Sequence, residues 1–195
     1  INKINNIKPL LRKYKIKLAI ENHQDLDSCD LIYIIKKVGE KYVGVNFDVG
    51  NAFATCETPY NFFKKTKNYI LNIHLKDYLI LPSGKGFSLN RCPIMDGDSE
   101  ISKILALTEK YKIRTKISLE LGAKRPREIN IKSKKFFKHF LSEKKKKIKN
   151  AEFIMNIAEK NLERINKLKK LISLNEINML NKRLKNLNPI KWKHE

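Results

Sequence analysis

The chain has 195 residues, of which 42% are hydrophobic, and a formal net charge of +22 at pH 7, which suits one globular domain with an appendage. No apolar run approaches the roughly 20 residues that cross a bilayer, and no signal-peptide layout opens the chain, so a membrane partner is not expected. The three cysteines, Cys29, Cys56 and Cys92, lie far apart without a CxxC pair. They indicate neither a disulfide framework nor a thiolate zinc site, and they favour a cytoplasmic location.

Strand-like and helix-like segments alternate along the first 120 residues. The predicted elements are, in chain order, a helix over 2–14, a strand over 16–21, a helix over 27–38, a strand over 42–48, a helix over 59–67, a strand over 69–74, a helix over 99–111 and a strand over 116–120. A long glycine-containing loop, 79–98, precedes the last of these helices. Strands that alternate with helices of about ten residues indicate βαβ units and a parallel sheet.

The region beyond Gly122 has a different character, because it is rich in lysine and contains no further glycine. Residues 124–195 contain 22 Lys/Arg and only 7 Asp/Glu. The segment 129–141 is predicted to form the last helix of the first domain. The chain is therefore expected to divide into a domain over 1–141 and a Lys-rich helical extension over 142–195.

Two apolar stripes predict a helical hairpin in this extension. The first stripe consists of Ala158, Leu162, Ile165, Leu168 and Ile172. Ser173 with Glu176 fits a capping box that opens a second helix. The second stripe consists of Ile177, Leu180, Leu184 and Leu187. We expect packing or homo-oligomerisation through these helices rather than nucleic-acid binding, because aromatic stacking residues are scarce here and Trp192 is isolated.

Each of the four predicted strands ends in a residue that can hold a metal. These residues are Glu21, Asp48, His74 and Glu120. Because the carboxyl ends of parallel strands lie on one rim of a barrel, we expect the four side chains to share one site. Small or amide side chains stand two positions earlier on the same face of each strand, namely Ala19, Asn46, Asn72 and Ser118. A barrel interior beneath a polar site accepts such residues.

The same strand ends carry four short motifs. They are Leu18-Ala-Ile-Glu-Asn-His-Gln-Asp-Leu26, Phe47-Asp-Val-Gly-Asn-Ala52, His74-Leu-Lys-Asp-Tyr78 and Ser118-Leu-Glu-Leu121. Over about residues 1–140, this ordered set resembles the second half of the xylose isomerase-like TIM barrel family, the sugar phosphate isomerase/epimerase group. The resemblance implies an α/β fold, a partial TIM (β/α) barrel made of the last four β/α units, followed by the α-helical C-terminal extension.

The resemblance also implies one divalent cation, held by Glu21, Asp48, His74 and Glu120. The first four strands of such a barrel are absent from this sequence, and the chain begins at Ile1 rather than Met. We therefore expect an N-terminally truncated fragment whose activity needs the missing half, because four strands alone leave two unpaired edges and an exposed inner face.

Three carboxylates and one imidazole form an oxygen-rich donor set, which suits Mn²⁺, Mg²⁺ or Co²⁺ better than thiolate-seeking ions. A cation there can chelate a ketose and stabilise the enediolate that forms when the C–H beside the carbonyl loses its proton. Glu21 and Glu120 are the candidate catalytic residues, because one can remove the proton and the other return it. The predicted function is a metal-dependent sugar (phosphate) isomerase or epimerase with a small-molecule sugar substrate.

Four further residues are candidates for substrate binding. His23 can contact substrate, or its loop can simply cap the strand. Asn51 stands where some relatives carry the histidine of an Asp-x-x-His pair, which argues against a second metal. Lys76 can hold a substrate oxygen, although a surface ion pair is an equal alternative. Arg91, or the turn 84–86, is a candidate for binding a phosphate.

Two other functions stay open. One is an endonuclease IV-like abasic-site DNA repair nuclease of the same barrel superfamily, which uses several zinc ions and extra histidines; the few histidines in these motifs disfavour it. The other is a non-catalytic basic protein whose tail binds nucleic acid or another protein. A compositional bias of the whole coding sequence, in which Lys, Ile and Asn are abundant, can supply much of the charge without any anionic partner.

Overall fold

The protein folds as a four-stranded parallel sheet with helices packed against it and a smaller antiparallel sheet. The computed structural model describes residues 1–120, 125–133 and 135–171, with side chains as far as residue 167. The helices within these ranges are α1 (Asn2–Lys13), α2 (Ser28–Val38), α3 (Pro59–Thr66), α4 (Ile101–Lys110) and α5 (Lys144–Leu171). The strands are β1 (Leu18–Glu21), β2 (Val43–Asp48), β3 (Ile70–Leu75), β4 (Tyr78–Ser83), β5 (Gly86–Arg91), β6 (Lys116–Leu119) and β7 (Arg127–Asn130).

The parallel sheet places β1, β2, β3 and β6 side by side in that order. Each neighbouring pair is parallel, with Asp48 opposite His74 and Leu75 opposite Leu119. Parallel neighbours need a crossover connection, and α2, α3 and α4 lie in the three connections between these strands. The predicted βαβ arrangement is confirmed.

Helix α2 begins at a capping box, which positions the loop that follows β1. The Asp27 side chain accepts a hydrogen bond from the Asp30 N–H at 2.9 Å, and the Asp30 side chain accepts one from the Asp27 N–H at 3.1 Å. Gly39 follows the helix at φ +112°, a backbone conformation that favours glycine. The helix therefore starts and stops where the sequence predicts.

The two faces of the parallel sheet have different chemistry. On the helix-covered face, the Phe47 ring stacks on the Phe62 ring of α3 with 5.0 Å between centroids, and both side chains are fully buried. Burial of one such side chain contributes about 1.5–3 kcal/mol. On the opposite face, the Asn72 side chain donates a hydrogen bond to the Asn46 side chain at 3.0 Å. Alternation along the strands thus leaves a polar face for the functional site.

The segment predicted as a long loop, 79–98, contains most of a β-hairpin. Strand β4 pairs with β5, and β5 pairs with β7, both antiparallel. The residues Pro82, Gly84 and Gly86 are typical of turns and loops, and they interrupt the alternating pattern that would have indicated strands.

The predicted helix over 129–141 is wrong. Arg127–Asn130 form strand β7, and Phe136–Lys138 form only one 3₁₀ turn. Ile129 lies opposite Phe87 of β5, and both side chains are buried. Pairing with β7 covers an edge of β5, and a β-branched residue such as Ile129 fits a pleated surface well. Tertiary pairing therefore overrides the local helical pattern.

Helix α5 packs on the antiparallel sheet. Its residues Ala151, Ile154 and Ala158 are buried, and the Asn161 side chain donates a hydrogen bond to a main-chain oxygen of β4 at 2.9 Å. Leu162 of the predicted apolar stripe is instead 42% exposed. The face of α5 that contacts the sheet is therefore rotated from the predicted stripe toward Asn161. The helix itself is present after the barrel units, as predicted.

Several features of the predicted extension lie outside the described residues. These are Ile172, the capping box of Ser173 with Glu176, and the stripe over 177–187. The domain boundary at residues 141/142 and oligomerisation through the extension stay predictions. Among the helices that are described, none is both long enough and apolar enough to span a bilayer.

Gly44 of β2 allows a close approach of the chain leading into β3. A Cβ atom at Gly44 would lie 2.5 Å from the Tyr69 carbonyl oxygen and 2.6 Å from Leu71 Cγ. We expect Gly44→Ala to lower the free energy of unfolding by about 1–3 kcal/mol, because the core there has no room for a methyl group. Gly84→Ala is the control, since nothing lies within 4 Å of a Cβ at that position. Urea unfolding compares the two, and equal stability would contradict close packing at Gly44.

Candidate metal centre

Four side chains from four neighbouring strands converge at the carboxyl edge of the parallel sheet. Glu21 ends β1, Asp48 ends β2, His74 lies near the end of β3, and Glu120 directly follows β6. Each offers one potential ligand atom, and these atoms all lie within 4.8 Å of one another. The structure therefore brings together the four residues that the sequence selected.

Asp48 is fixed by two asparagine side chains. The Asn22 amide donates to the Asp48 carbonyl oxygen at 2.9 Å, and its oxygen accepts from the Asp48 N–H at 2.8 Å. The Asn51 amide donates to Asp48 Oδ2 at 2.8 Å. Asn22 belongs to the loop after β1, so this loop is fastened to the end of β2, and the fully buried Asp48 carboxylate has little freedom to turn.

Lys76 lies inside the cluster. Its side chain is 3% exposed, and its Nζ atom lies 2.5 Å from Asp48 Oδ2 and also contacts Glu120 Oε1. Burial of the ammonium excludes the alternative of a surface ion pair. Because buried ions need compensating charge, Lys76 and the two carboxylates stabilise one another.

Asn46 and His74 complete the polar surroundings of the cluster. Asn46 Nδ2 lies 3.2 Å from Glu21 Oε2 and 3.3 Å from each ring nitrogen of His74. His74 Nδ1 in turn lies 3.2 Å from Glu120 Oε2. The amide of Asn46 therefore links the ends of β1 and β3 across β2.

The two carboxyls that share Lys76 have opposite pKa shifts. Burial raises the pKa of Asp48 from 3.8 to about 7, and the hydrogen bond and charge of Lys76 only partly oppose this. Burial also raises the pKa of Glu120, but the hydrogen bond and charge of Lys76, with the other polar groups around it, outweigh it and hold that pKa below its ordinary value. Of the two, Asp48 therefore retains a proton more readily.

Two buried carboxylate oxygens of the cluster lack a hydrogen-bond partner among the described residues, namely Glu21 Oε1 and Asp48 Oδ1. A buried polar atom without a partner costs about 1–3 kcal/mol or more, and a cation between these oxygens would remove that cost. Three carboxylates with one imidazole form a donor set for hard or borderline divalent ions. The residues present therefore fit a divalent cation.

The rest of the described chain offers no comparable centre. Outside this cluster, residues 1–120, 125–133 and 135–171 contain no other group of three His, Cys, Asp or Glu side chains close enough to share an ion. The Asn51 amide bonds to Asp48 where a histidine ligand would be needed for a second metal. The multi-zinc arrangement of the nuclease alternative thus finds no support in these residues.

The sequence of residues 1–140 matches the model of the xylose isomerase-like TIM barrel family. This match covers well over half of the chain. The chain belongs to the xylose isomerase-like TIM barrel family. The predicted resemblance and the predicted partial barrel are therefore confirmed. This family includes sugar isomerases, epimerases and related sugar-processing enzymes.

Three relatives show how this chain compares with the family. A 3-oxo-isoapionate decarboxylase from Pectobacterium atrosepticum is 24% identical over 91 residues, which are 46% of this chain and 33% of that protein. A xylose isomerase-like TIM barrel protein from Mycobacterium smegmatis, in complex with magnesium, has a similar fold with a TM-score of 0.54 and 19% identity, covering 83% of this chain and 50% of that one. The probable 3-DHS dehydratase AsbF from Bacillus anthracis also has a similar fold, with a TM-score of 0.51 and 16% identity. The match covers 63% of this chain and 50% of that one. The chain spans one third to one half of the length of these proteins.

The candidate substrate-binding residues occupy different places. Asn51 and Lys76 are buried against Asp48, whereas His23 is exposed in the loop after β1. Arg91 donates a hydrogen bond to the Glu120 carbonyl oxygen at 2.9 Å, which holds its guanidinium at the end of β6. The turn 84–86 lies at the tip of the hairpin, where Lys85 pairs with a glutamate of β7 at 3.0 Å.

Sequence reasoning missed two residues of the site, Gln24 and Tyr78. The Gln24 amide donates to Asn51 Oδ1 at 2.9 Å and to the Tyr78 hydroxyl at 3.1 Å. The Tyr78 ring also lies 5.0 Å from the Arg91 guanidinium. Both residues stand inside the quoted family motifs, so their position within those motifs was the available signal. Together they connect Arg91 to Asp48 through Asn51.

Proposed function

We propose that this chain carries the metal-holding half of a sugar isomerase or epimerase that acts in the cytoplasm on a small sugar or sugar phosphate. The observation that carries the proposal is the convergence of Glu21, Asp48, His74 and Glu120, whose potential ligand atoms lie within 4.8 Å of one another. The Lys76 ammonium supplies one positive charge to three carboxylates, and a divalent cation would compensate the remaining repulsion. The magnesium bound by the Mycobacterium smegmatis protein supports a hard divalent ion, with Mg²⁺, Mn²⁺ and Co²⁺ as candidates.

The positions of the two glutamates support a role in moving a proton. Glu21 ends β1 and Glu120 follows β6, which are the outer strands of the sheet, so the two glutamates flank Asp48 and His74. A divalent ion bound here would polarise the carbonyl of a ketose. We assign to one glutamate the removal of the proton from the carbon beside that carbonyl and to the other its return. The electron pair of the broken C–H bond enters the enediolate and forms a new C–H bond at the end, so no redox partner is needed.

The carbon that loses the proton decides the product. Removal of the proton from C3 of the ketose and its return to the opposite face of C3 gives an epimer. Removal from C1 and return to C2, with transfer of a proton from the C1 oxygen to the C2 oxygen, gives the aldose. Arg91 is the cationic side chain at the edge of the cluster, and we assign to it the substrate's oxygen atoms, with the exposed His23 as a further contact. Lys76 and Asn51 are buried against Asp48, so we assign to them the support of the ligands. A phosphate group on the sugar would pair with Arg91.

Decarboxylation of a 3-oxo acid is a second candidate. The decarboxylase from Pectobacterium atrosepticum matches 46% of this chain. Loss of carbon dioxide leaves an electron pair on the carbon beside the carbonyl, as loss of a proton does, so the same centre can stabilise both reactions. The difference is that a C–C bond supplies the electron pair and no base is required.

Metal binding tests the common premise of both reactions. After metal removal with a chelator, we expect calorimetry to show one Mn²⁺ bound per chain. Asp48→Asn is expected to weaken this binding by more than about 100-fold, because replacing even a residue that only supports a ligand costs 10- to 100-fold. Asp96→Asn, which changes an exposed carboxylate, is the control. A chain that takes up no ion would remove the proposed function.

Hydrogen exchange separates the two reactions. The full-length protein, loaded with Mn²⁺, is incubated with a ketose in heavy water, and nuclear magnetic resonance follows deuterium at the carbon beside the carbonyl. An isomerase or epimerase introduces deuterium there, and Glu120→Gln abolishes the exchange. Release of carbon dioxide from a 3-oxo acid without exchange into any ketose would instead favour the decarboxylase.

A further inference from the structure

Two carboxylates of the cluster, that of the fully buried Asp48 and that of the partly exposed Glu21, each have one oxygen held by a neighbouring amide. Glu21 Oε2 accepts a hydrogen bond from Asn46 Nδ2 at 3.2 Å, and Asp48 Oδ2 accepts one from Asn51 Nδ2 at 2.8 Å. The second oxygens, Glu21 Oε1 and Asp48 Oδ1, are buried without a partner among the described residues. Each of these carboxylates therefore presents a single oxygen to a cation.

Lys76 extends this pattern to Glu120 and strengthens it at Asp48. Its ammonium lies 2.5 Å from Asp48 Oδ2 and also contacts Glu120 Oε1. The other oxygen of Glu120, Oε2, lies on the side of His74, 3.2 Å from Nδ1. The buried Lys76 ammonium thus contacts one oxygen of Asp48 and one oxygen of Glu120. The other oxygen of each carboxylate is not in contact with Lys76.

We propose that Lys76 is a positioning residue that restricts Asp48 and Glu120 to one-oxygen coordination, so that the centre selects Mg²⁺ or Mn²⁺ over Ca²⁺. This inference rests on the proposed metal function. Calcium takes about six to eight oxygens and often uses both oxygens of a carboxylate, whereas magnesium takes roughly octahedral coordination at shorter distance. With Lys76 in place, the three carboxylates offer three oxygens and His74 offers one nitrogen.

The charge of Lys76 cannot produce this selectivity by itself. Its single positive charge repels any divalent ion near the cluster to a similar extent, because Mg²⁺, Mn²⁺ and Ca²⁺ carry the same charge. Removal of the charge would tighten the binding of all three ions. Removal of the two contacts also frees Glu120 Oε1 and leaves Asp48 Oδ2 held by Asn51 alone, and only calcium gains from two-oxygen coordination. The ratio of affinities therefore distinguishes positioning from charge.

The test compares Mn²⁺ and Ca²⁺ binding by calorimetry in the wild-type chain and in Lys76→Met. We expect the wild-type chain to prefer Mn²⁺ and the variant to lose at least about tenfold of that preference, mainly through tighter Ca²⁺ binding. Lys65→Met is the matched control, since Lys65 also pairs with a buried carboxylate, that of Glu57 at 2.6 Å, away from the cluster. Its ion preference is expected to equal that of the wild type.

The positioning role would be overturned if the ratio of Mn²⁺ affinity to Ca²⁺ affinity in Lys76→Met lay within about twofold of the wild-type ratio. This holds even if both affinities rise, because charge acts on both ions alike. If the wild-type chain binds no ion, the proposed function fails and this inference fails with it. If the wild-type chain binds Mn²⁺ but the ratio does not change in the variant, only the inference fails. If Lys76→Met does not fold, Lys76→Gln is measured in the same way, because the shorter neutral amide cannot hold both carboxylates as the ammonium does. The same loss of preference is expected, and an unchanged ratio again overturns the inference.

Discussion

Replacement of Lys147 by methionine is expected to lower the free energy of unfolding by about 3–5 kcal/mol, as for other buried ion pairs that lose one partner. Lys147 belongs to α5 and is 1% exposed. Its Nζ atom lies 2.9 Å from Asp27 Oδ2 and donates a hydrogen bond to the Thr55 carbonyl oxygen. Methionine keeps the apolar stem, but it leaves the buried Asp27 carboxylate without its cation. This buried ion pair therefore adds to the packing that holds α5 on the barrel units.

The same pair makes the stability depend on pH. Burial raises the pKa of Asp27, but the charge of Lys147 and the hydrogen bond from Ser142 outweigh it and leave this pKa below its ordinary value of 3.8. A carboxyl group with a lowered folded-state pKa stabilises the fold above the unfolded-state value and loses this contribution as the pH falls through the folded-state value. The deficit of Lys147→Met is therefore expected to be largest near neutral pH and to shrink in acid below about pH 4.

The neighbouring Lys146 provides a matched control. It is exposed and pairs with Glu143 at 3.1 Å within one helical turn. Surface pairs of this kind contribute about 0–1 kcal/mol, so Lys146→Met is expected to be nearly neutral. Urea unfolding followed by circular dichroism at pH 7 and in acid compares the two variants. Equal losses would contradict a buried ion pair between α5 and the barrel units.

The four clustered residues could be predicted because two simple rules fix their place. Side chains alternate along a strand, and a βαβ connection makes neighbouring strands parallel, so their carboxyl ends meet at one edge. The exact register, with Asp48 opposite His74, follows an irregularity between Val45 and Asn46 that neither rule predicts. The helix start at Asp27 could be predicted for a similar reason, since the signal is local.

The rest of the site depends on partners that are distant in sequence. Alternation places Lys76 on the same face as His74, but it does not show that Asp48 and Glu120 bury its ammonium. Strand β7 likewise forms because β5 offers it an edge, whereas its own sequence is compatible with a helix. Local patterns thus gave the framework, and the three-dimensional pairing of charges and edges determined the details.

Asp77→Asn is expected to lower the free energy of unfolding by about 3 kcal/mol, because hydrogen bonds to a charged acceptor contribute about 1.5–3 kcal/mol each. The buried Asp77 carboxylate accepts four main-chain hydrogen bonds. Oδ1 accepts from Tyr78 at 2.9 Å and Ser99 at 3.1 Å, and Oδ2 accepts from Met95 at 3.0 Å and Gly97 at 3.1 Å. An asparagine has only one acceptor oxygen, so its NH₂ group would face two N–H donors that it cannot satisfy.

Asp96→Asn is the control for this change, because Asp96 lies exposed in the same loop. It is expected to leave the urea midpoint almost unchanged, whereas Asp77→Asn shifts the midpoint to lower urea. Asp77 directly follows Lys76, so the four hydrogen bonds also fix the backbone from which the ammonium reaches Asp48 and Glu120. Mn²⁺ binding is therefore expected to weaken in Asp77→Asn even under conditions where the variant is fully folded. A folded variant that binds Mn²⁺ as tightly as the wild type would show that the loop over 92–99 and the cluster are independent of each other.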